Sequence, residues 1–214
     1  MNNRLIYLSI LALFFLTACS ESTSTSLVDD SLEPVAKVSF INGSENTVLT
    51  VNRSQNSYFS LDFENVGNND VINNGTGEGW CIDWQKPIDS DGGVYSDIRL
   101  YSTFLVEEWN PLNYLLNIKE QLKTDDSEIT YREIQLAIWS LQGLPEFELD
   151  NVEPDELPAR MLENGQPAFN KDKVKEILDL VTEGHRDFDF VDGTKFAVIA
   201  ETPSDVQTVI TVVN

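Results

Sequence analysis

The chain has 214 residues, and its 36 Asp and Glu against 14 Lys and Arg give a formal charge of −22. So acidic a surface repels nucleic acid and anionic lipid headgroups, which excludes nucleic-acid binding as a function. With 41% hydrophobic residues the chain can still bury a real core.

The N-terminus reads as an export signal. Asn2, Asn3 and Arg4 precede an apolar run from Leu5 to Phe15, and Leu16-Thr17-Ala18-Cys19 follows. That run is too short for a stable transmembrane helix and has the charged, apolar, small-residue plan of a secretory signal. The box resembles a lipoprotein signal, so residues 1–18 are expected to be removed and Cys19 lipidated. Several acyl chains on one cysteine would anchor the chain stably, where one chain binds only marginally. Ser20 rather than aspartate follows the cysteine, and resemblance to diderm lipoproteins then implies the outer membrane or cell surface. Residues 19–34, rich in Ser, Thr and Asp, are expected to form a disordered tether, because they hold too little apolar surface to offset their ordering entropy. Residues 35–214 are expected to form one folded domain.

Three short alternating runs, Val35 to Ile41, Val48 to Val51 and Tyr58 to Phe63, predict strands. Val66 to Gly79, dense in Asn and Gly, predicts a long loop. Trp80 to Trp84 is aromatic and strand-like, and Pro87 ends it. Ile98, Leu100 and Phe104 alternate as another strand would. Helices follow. Asn110 is expected to cap the first, with Pro111 in its first position and Leu112, Leu115, Leu116 and Leu122 at helical spacing. Thr130-Tyr131-Arg132-Glu133 is a capping box for a second helix running to Gly143. Asn170 caps a third, which Gly184 ends. Lys195 to Ala200 and Gln207 to Val213 predict two closing strands. Strands, a helical insertion and strands again define an α+β class, β-rich and sandwich- or barrel-like, with no second domain.

The acidic clusters are not expected to carry a metal site. Residues 146–156 read as a solvated acidic loop. Asp89-Ser90-Asp91-Gly92-Gly93 lacks the remaining ligands of a calcium loop, and Asp187, Asp189 and Asp192 have no recognised ligand spacing. Neither a metal nor another cofactor is expected.

With Cys19 taken by lipid, Cys81 has no partner for a disulfide. Exported proteins that use disulfides carry even sets of cysteines. Cys81 is therefore either inert core or functional. It sits in Trp80-Cys81-Ile82-Asp83-Trp84, and a candidate partner sits in Ile134-Gln135-Leu136-Ala137-Ile138-Trp139. A thiol can condense with a glutamine side chain, losing ammonia, to an internal thioester that a free amine later captures. On the second helix Gln135 shares its face with Trp139, beside a stripe of Ile134, Ala137, Ile138 and Leu141. Trp80, Trp84 and Trp139 could keep such a bond from bulk water.

Trp80-Cys81-Ile82-Asp83 with Pro87 after it, and Gln135-Leu136-Ala137-Ile138-Trp139 downstream, resemble the paired motifs of the bacterial thioester-domain family, adhesin modules best known from Gram-positive surface proteins. Asn113-Tyr114-Leu115-Leu116-Asn117, residues 174–181 and the closing strand with Gln207 are similar as well, so the resemblance covers roughly residues 75–214. It implies a Cys81–Gln135 thioester in a β-rich fold with inserted helices, with Trp80, Asp83, Ala137 and Trp139 supporting the pair. It further implies covalent capture of amines, typically lysine side chains, on a host or neighbouring-cell surface, in one turnover and without enzymatic cycling. Many family members carry threonine where this chain has Ile134, and the anchor is a lipoprotein signal rather than a wall-sorting tail.

Two rival readings stand beside this one. A cysteine hydrolase would enlist His185, the one histidine, with Asp187 or Asp189 to orient it. No recognisable nucleophile motif surrounds Cys81, however, and His185 directly follows the helix stop. A lipoprotein that binds protein or glycan without covalent chemistry would leave Cys81 as core.

Overall fold

The computed structural model describes residues 37–214. The expected signal, lipidated Cys19 and tether lie outside the described residues. Alternation of apolar residues builds the first strands. In β2 (Thr47–Arg53) Thr47, Leu49 and Val51 point inward, and in β3 (Phe59–Glu64) Phe59, Leu61 and Phe63 do the same. A short β1 (Ser39–Phe40) precedes them, and β4 (Gly75–Cys81) and β5 (Asp91–Ser102) follow. The chain then leaves the sheet for α1 (Asn110–Asp125), α2 (Tyr131–Gln142), a two-stranded ribbon of β6 (Leu162–Glu163) and β7 (Gln166–Pro167), and α3 (Lys171–Gly184). It returns through β8 (Phe196–Glu201) and β9 (Val209–Val213).

All pairings in the seven-stranded sheet are antiparallel, in the order β1-β5-β2-β3-β4-β9-β8. Strand β5 is long enough to serve three neighbours, β1, β2 and β8. Its first half pairs with β2, and Arg99 to Ser102 pair with β8, which closes the sheet on itself. Closure leaves no long open edge for other chains to pair with. The fold is thus α+β, a barrel-like sheet with a helical insertion between β5 and β8.

Strand β4 departs from its sequence expectation. Part of the Gly- and Asn-rich stretch expected as loop is strand, and its glycines are there for packing. A Cβ on Gly79 would lie 2.4 Å from the Leu61 side chain, and one on Gly77 would lie 2.7 Å from Thr211 Oγ1. The neighbouring strands fill the space that side chains would need. The regular strand also stops at Cys81 instead of continuing to Trp84. Beyond it, only Asp83 forms a bridge, parallel, to Leu144.

The first helix begins at its expected cap, one residue before its expected first position. Asn110 is already helical, and Trp109 occupies the cap position without a side-chain hydrogen bond. Two asparagines further along dock the helix on β8. Asn113 Oδ1 accepts from Ala197 N (2.9 Å), while Asn117 exchanges bonds with both Lys195 N and Lys195 O (2.9 and 2.7 Å). Lys119, 1% exposed, reaches Glu78 on β4 (2.8 Å) and Glu120 (2.7 Å).

Helix α2 has the expected capping box on Thr130 and Glu133. Glu133 also accepts from Asn170 N (2.9 Å), the residue whose side chain caps α3. One carboxylate therefore fixes the start of both helices. Leu141 is only half-buried, yet every residue from Glu133 to Trp139 is buried. The amphipathic stripe expected from the sequence is in fact a helix enclosed on all sides over those two turns, between β4 and the other two helices.

Candidate functional site

Cys81 and Gln135 meet at the end of the β3–β4 ladder. That ladder runs out at the pair Phe59 and Gly79. On the other side of β4, Cys81 still pairs with Val209, and Ile82 N donates to Thr208 O (3.1 Å). Alternate residues of a strand present their N–H and C=O to opposite neighbours, so those of Cys81 face the side that β3 has vacated. Gln135 fills the vacancy. Its Nε2 donates to Cys81 O (2.7 Å) and its Oε1 accepts from Cys81 N (3.0 Å). A side-chain amide thus replaces one residue of a strand, and both residues are fully buried.

Two further attachments fix this placement. Past the end of α2, Leu144 N donates to Ile82 O (2.7 Å) and Trp84 N donates to Leu144 O (3.2 Å). The indole of Trp84 donates to Pro145 O (2.8 Å). Asp83, buried, accepts from Gln85 N (3.3 Å) and Lys86 N (3.1 Å) and pairs with Lys86 Nζ (3.1 Å). The residues after the cysteine therefore form a tight turn clamped to the segment after the glutamine helix.

Aromatic rings close over the pair. Tyr131 and Trp139 lie one turn either side of Gln135 on α2. Tyr58 stands edge-on to Trp139 (5.8 Å between centroids), Trp139 packs on Phe147 (5.6 Å), and Phe147 packs on Trp84 (5.2 Å). The Arg160 guanidinium lies over Tyr58 (4.7 Å) and Tyr131 (4.8 Å) and donates to Tyr58 O and Ser54 O. Trp80 plays a different part from Trp84 and Trp139. Strand alternation turns its side chain to the face opposite Cys81, where the Lys119 ammonium lies 6.0 Å from its ring. Ala137 is fully buried at the middle of α2.

The thiol sits in a setting of opposed influences. Burial pushes the Cys81 thiol well above its ordinary value of 9.0, and Asp83 pushes the same way; the Trp139 side chain and Arg160 favour the thiolate. Burial likewise pushes the Tyr58 phenol far up, and charge on Cys81 adds to it. Trp139 Nε1 lies near the sulfur yet makes no hydrogen bond of ordinary geometry. It is one of a few buried polar side-chain atoms left unpartnered among the described residues. Gln207 Oε1, Thr208 Oγ1 and Trp80 Nε1 are others, and all belong to segments flanking Cys81. Native interiors leave few such atoms.

His185 stands apart. Its Nδ1 lies 2.7 Å from Val181 O, and it lines a separate cavity of about 410 Å³ with Glu107, Pro111 and Phe188. The hydrogen-bond partner of His185 and its neighbours in that cavity are residues other than Cys81. Among the described residues, no three His, Cys, Asp or Glu side chains converge as metal ligands.

The sequence singled out the pair and its tryptophans. It did not reveal Tyr58, Phe147 and Arg160, because these arrive from three separate segments with no shared motif, and Tyr131 on α2 itself gains its role only when Tyr58 and Arg160 pack against it. The fold and site together define a barrel whose helical insertion delivers a buried glutamine onto a buried cysteine. No family model matches the chain, and no curated protein does. Among solved structures it is similar to the N-terminal domain of the Streptococcus pyogenes pilus tip adhesin Cpa, with a TM-score of 0.44 and 12% identity over 75% of this chain and 85% of that one. It is also similar to the N-terminal thioester domain of the fibronectin-binding protein SfbI from Streptococcus pyogenes, with a TM-score of 0.40 and 13% identity over 83% and 94% of the two chains.

Proposed function

We propose that this chain is a lipid-anchored thioester domain, an adhesin that forms one covalent bond to an amine-bearing partner and then is spent. The observation that carries the reading is the two-point contact between the Gln135 amide and Cys81, fully enclosed by protein.

An amide is a poor electrophile, so the reaction depends on positioning. Holding thiol and amide in contact can replace many orders of magnitude of concentration. The Cys81 sulfur attacks Gln135 Cδ, the C–N bond breaks, and ammonia leaves with the thiol proton. Helix α2 and the clamp at Leu144 hold the two partners together while this occurs. The aromatic cover of Tyr58, Trp139 and Phe147 keeps water from the thioester formed. A primary amine then attacks the same carbon and the C–S bond breaks. One amine proton passes to Cys81, and the partner is left joined to Gln135 by an amide. Because that amide is stable, the glutamine is consumed and no catalytic cycle follows. The Trp139 N–H, next to the sulfur and without an acceptor, supports the reading, since it can stabilise the thiolate as it attacks and as it leaves.

The adhesin role, the lysine-bearing surface partner and the anchoring through Cys19 rest on the sequence resemblances. Intact mass of residues 35–214 before and after methylamine tests the chemistry. A mass one ammonia short of the sequence, rising by one methylamine on treatment, is the expected result. A full sequence mass unchanged by methylamine would overturn the reading and leave a binding module with Cys81 as core.

A further inference from the structure

Cys81 and Gln135 are both fully buried, so a nucleophile for a bond between them needs a way in. A cleft of about 350 Å³ opens between the segment from Trp84 to Ile88, which follows the cysteine, and the segment from Glu156 to Arg160. Its size falls within the range of small-ligand sites. Tyr58, 2% exposed, lines this cleft and also packs on Trp139 over the pair. Tyr58 therefore connects the cleft to the ring cover over Cys81 and Gln135.

Gln207 also lines the cleft and is more than nine-tenths buried. Its backbone is fully used: its N–H donates to Pro87 O (3.1 Å), and its carbonyl accepts from Thr202 Oγ1 (2.9 Å). Its side-chain Oε1 has no hydrogen-bond partner. An unsatisfied buried acceptor is expensive, and this one stands two residues before Val209, the residue paired with Cys81. The cleft walls are mixed: Trp84, Pro87, Leu157 and Pro158 offer apolar surface to a methylene chain, while Gln85, Ser90 and Gln207 offer polar groups to the nitrogen at its end. The cleft's charged lining residues are Arg160, Glu156 and Lys86, the last paired with Asp83.

We propose that a lysine-like primary amine reaches the Cys81–Gln135 bond through this cleft, and that Gln207 Oε1 accepts a hydrogen bond from it. The inference rests on the thioester reading. Gln207 orients the nitrogen and takes no proton; the amine forms its bond to Gln135 Cδ, the C–S bond breaks, and the proton released goes to the Cys81 sulfur. Tyr58 swings aside to admit the nitrogen.

The test uses the full chain purified in detergent, with Nα-acetyl-lysine amide as probe and capture followed by mass gain and release of the Cys81 thiol. Gln207→Leu should retain the one-ammonia deficit, which also reports an intact fold, and capture the probe roughly tenfold more slowly, the loss of one hydrogen bond. Ala159→Trp, at an exposed residue of the cleft wall, should slow capture by a similar factor. Glu146→Trp, at the separate cavity of about 230 Å³ beside Trp139 and Phe147, should stay within about twofold of wild type, as surface changes do. Wild-type rates in both cleft variants, or slowing only in Glu146→Trp, would overturn the cleft while the ammonia deficit upheld the thioester. If Gln207→Leu lacks the deficit, Ala159→Trp decides the matter. A wild-type chain at full sequence mass would overturn the thioester and this proposal with it.

Discussion

Gln135 grips Cys81 by the backbone and not by the sulfur: Nε2 donates to Cys81 O at 2.7 Å, and Oε1 accepts from Cys81 N at 3.0 Å. Replacing the cysteine side chain leaves both bonds possible, whereas replacing the glutamine strands two buried polar groups. Cys81→Ala and Gln135→Ala should both abolish methylamine labelling. They should differ in stability, with Gln135→Ala lower than Cys81→Ala by about 2–4 kcal/mol, the cost of two unsatisfied buried groups. Urea unfolding of the two variants measures the difference. Equal stability would mean that the amide is not seated as described.

The thioester would also act as a cross-link between residues 54 apart in sequence. By the entropy relation used for disulfides, closing a loop of that length restricts the unfolded chain by up to about 4 kcal/mol. Treatment with methylamine should therefore lower the unfolding midpoint of the wild-type protein and leave that of Cys81→Ala unchanged. Coincident transitions before and after treatment, with the adduct confirmed by mass, would contradict the cross-link.

A free Cys81 thiol makes a prediction with pH. Burial raises its folded-state pKa well above 9.0, with Asp83 adding to the rise and Trp139 and Arg160 opposing it. The folded protein then keeps this proton at pH values where the unfolded chain has lost it. The stability contributed is present below pH 9.0 and falls as pH climbs toward the folded pKa. Tyr58 shifts in the same sense, so a reference lacking only the thiol is needed. Gln135→Ala should lose stability above pH 9 more steeply than the double variant Cys81→Ala/Gln135→Ala. Parallel curves would show that the thiol is not buried.

Local signals were the legible ones. The Thr130–Glu133 capping box and the Asn170 cap each use side chains that bond within their own turn, so a short window of sequence contains the whole interaction. The Cys81–Gln135 contact was anticipated because the residues flanking each resemble the paired motifs of the thioester-domain family, even though 54 residues separate them. Strand β4 was hidden because its glycines serve Leu61 and Thr211 on neighbouring strands, and local propensity carries no trace of that demand. Asn110 has the composition of a cap yet sits inside the helix, since the turn before it already winds through Glu107–Trp109. The ring cover escaped for a similar reason. Tyr58, Arg160 and Phe147 become neighbours only once the insertion has folded back on the barrel, and Gln207 gains its meaning only beside the cleft.

The docking of α2 decides how the protein would bear load. On the function proposed above, capture would break the bond to β4 and attach the partner to Gln135, so a pull on that partner would enter at the middle of the helix. Glu133 resists at one end through Thr130 and Asn170, and Leu144 resists at the other through Ile82 and Trp84. Tension is shared among fastenings at both ends and does not peel them singly. Under rising force these hydrogen bonds yield before the covalent amide does, so the weakest point of the attachment lies in the helix's seat and not at the captured ligand.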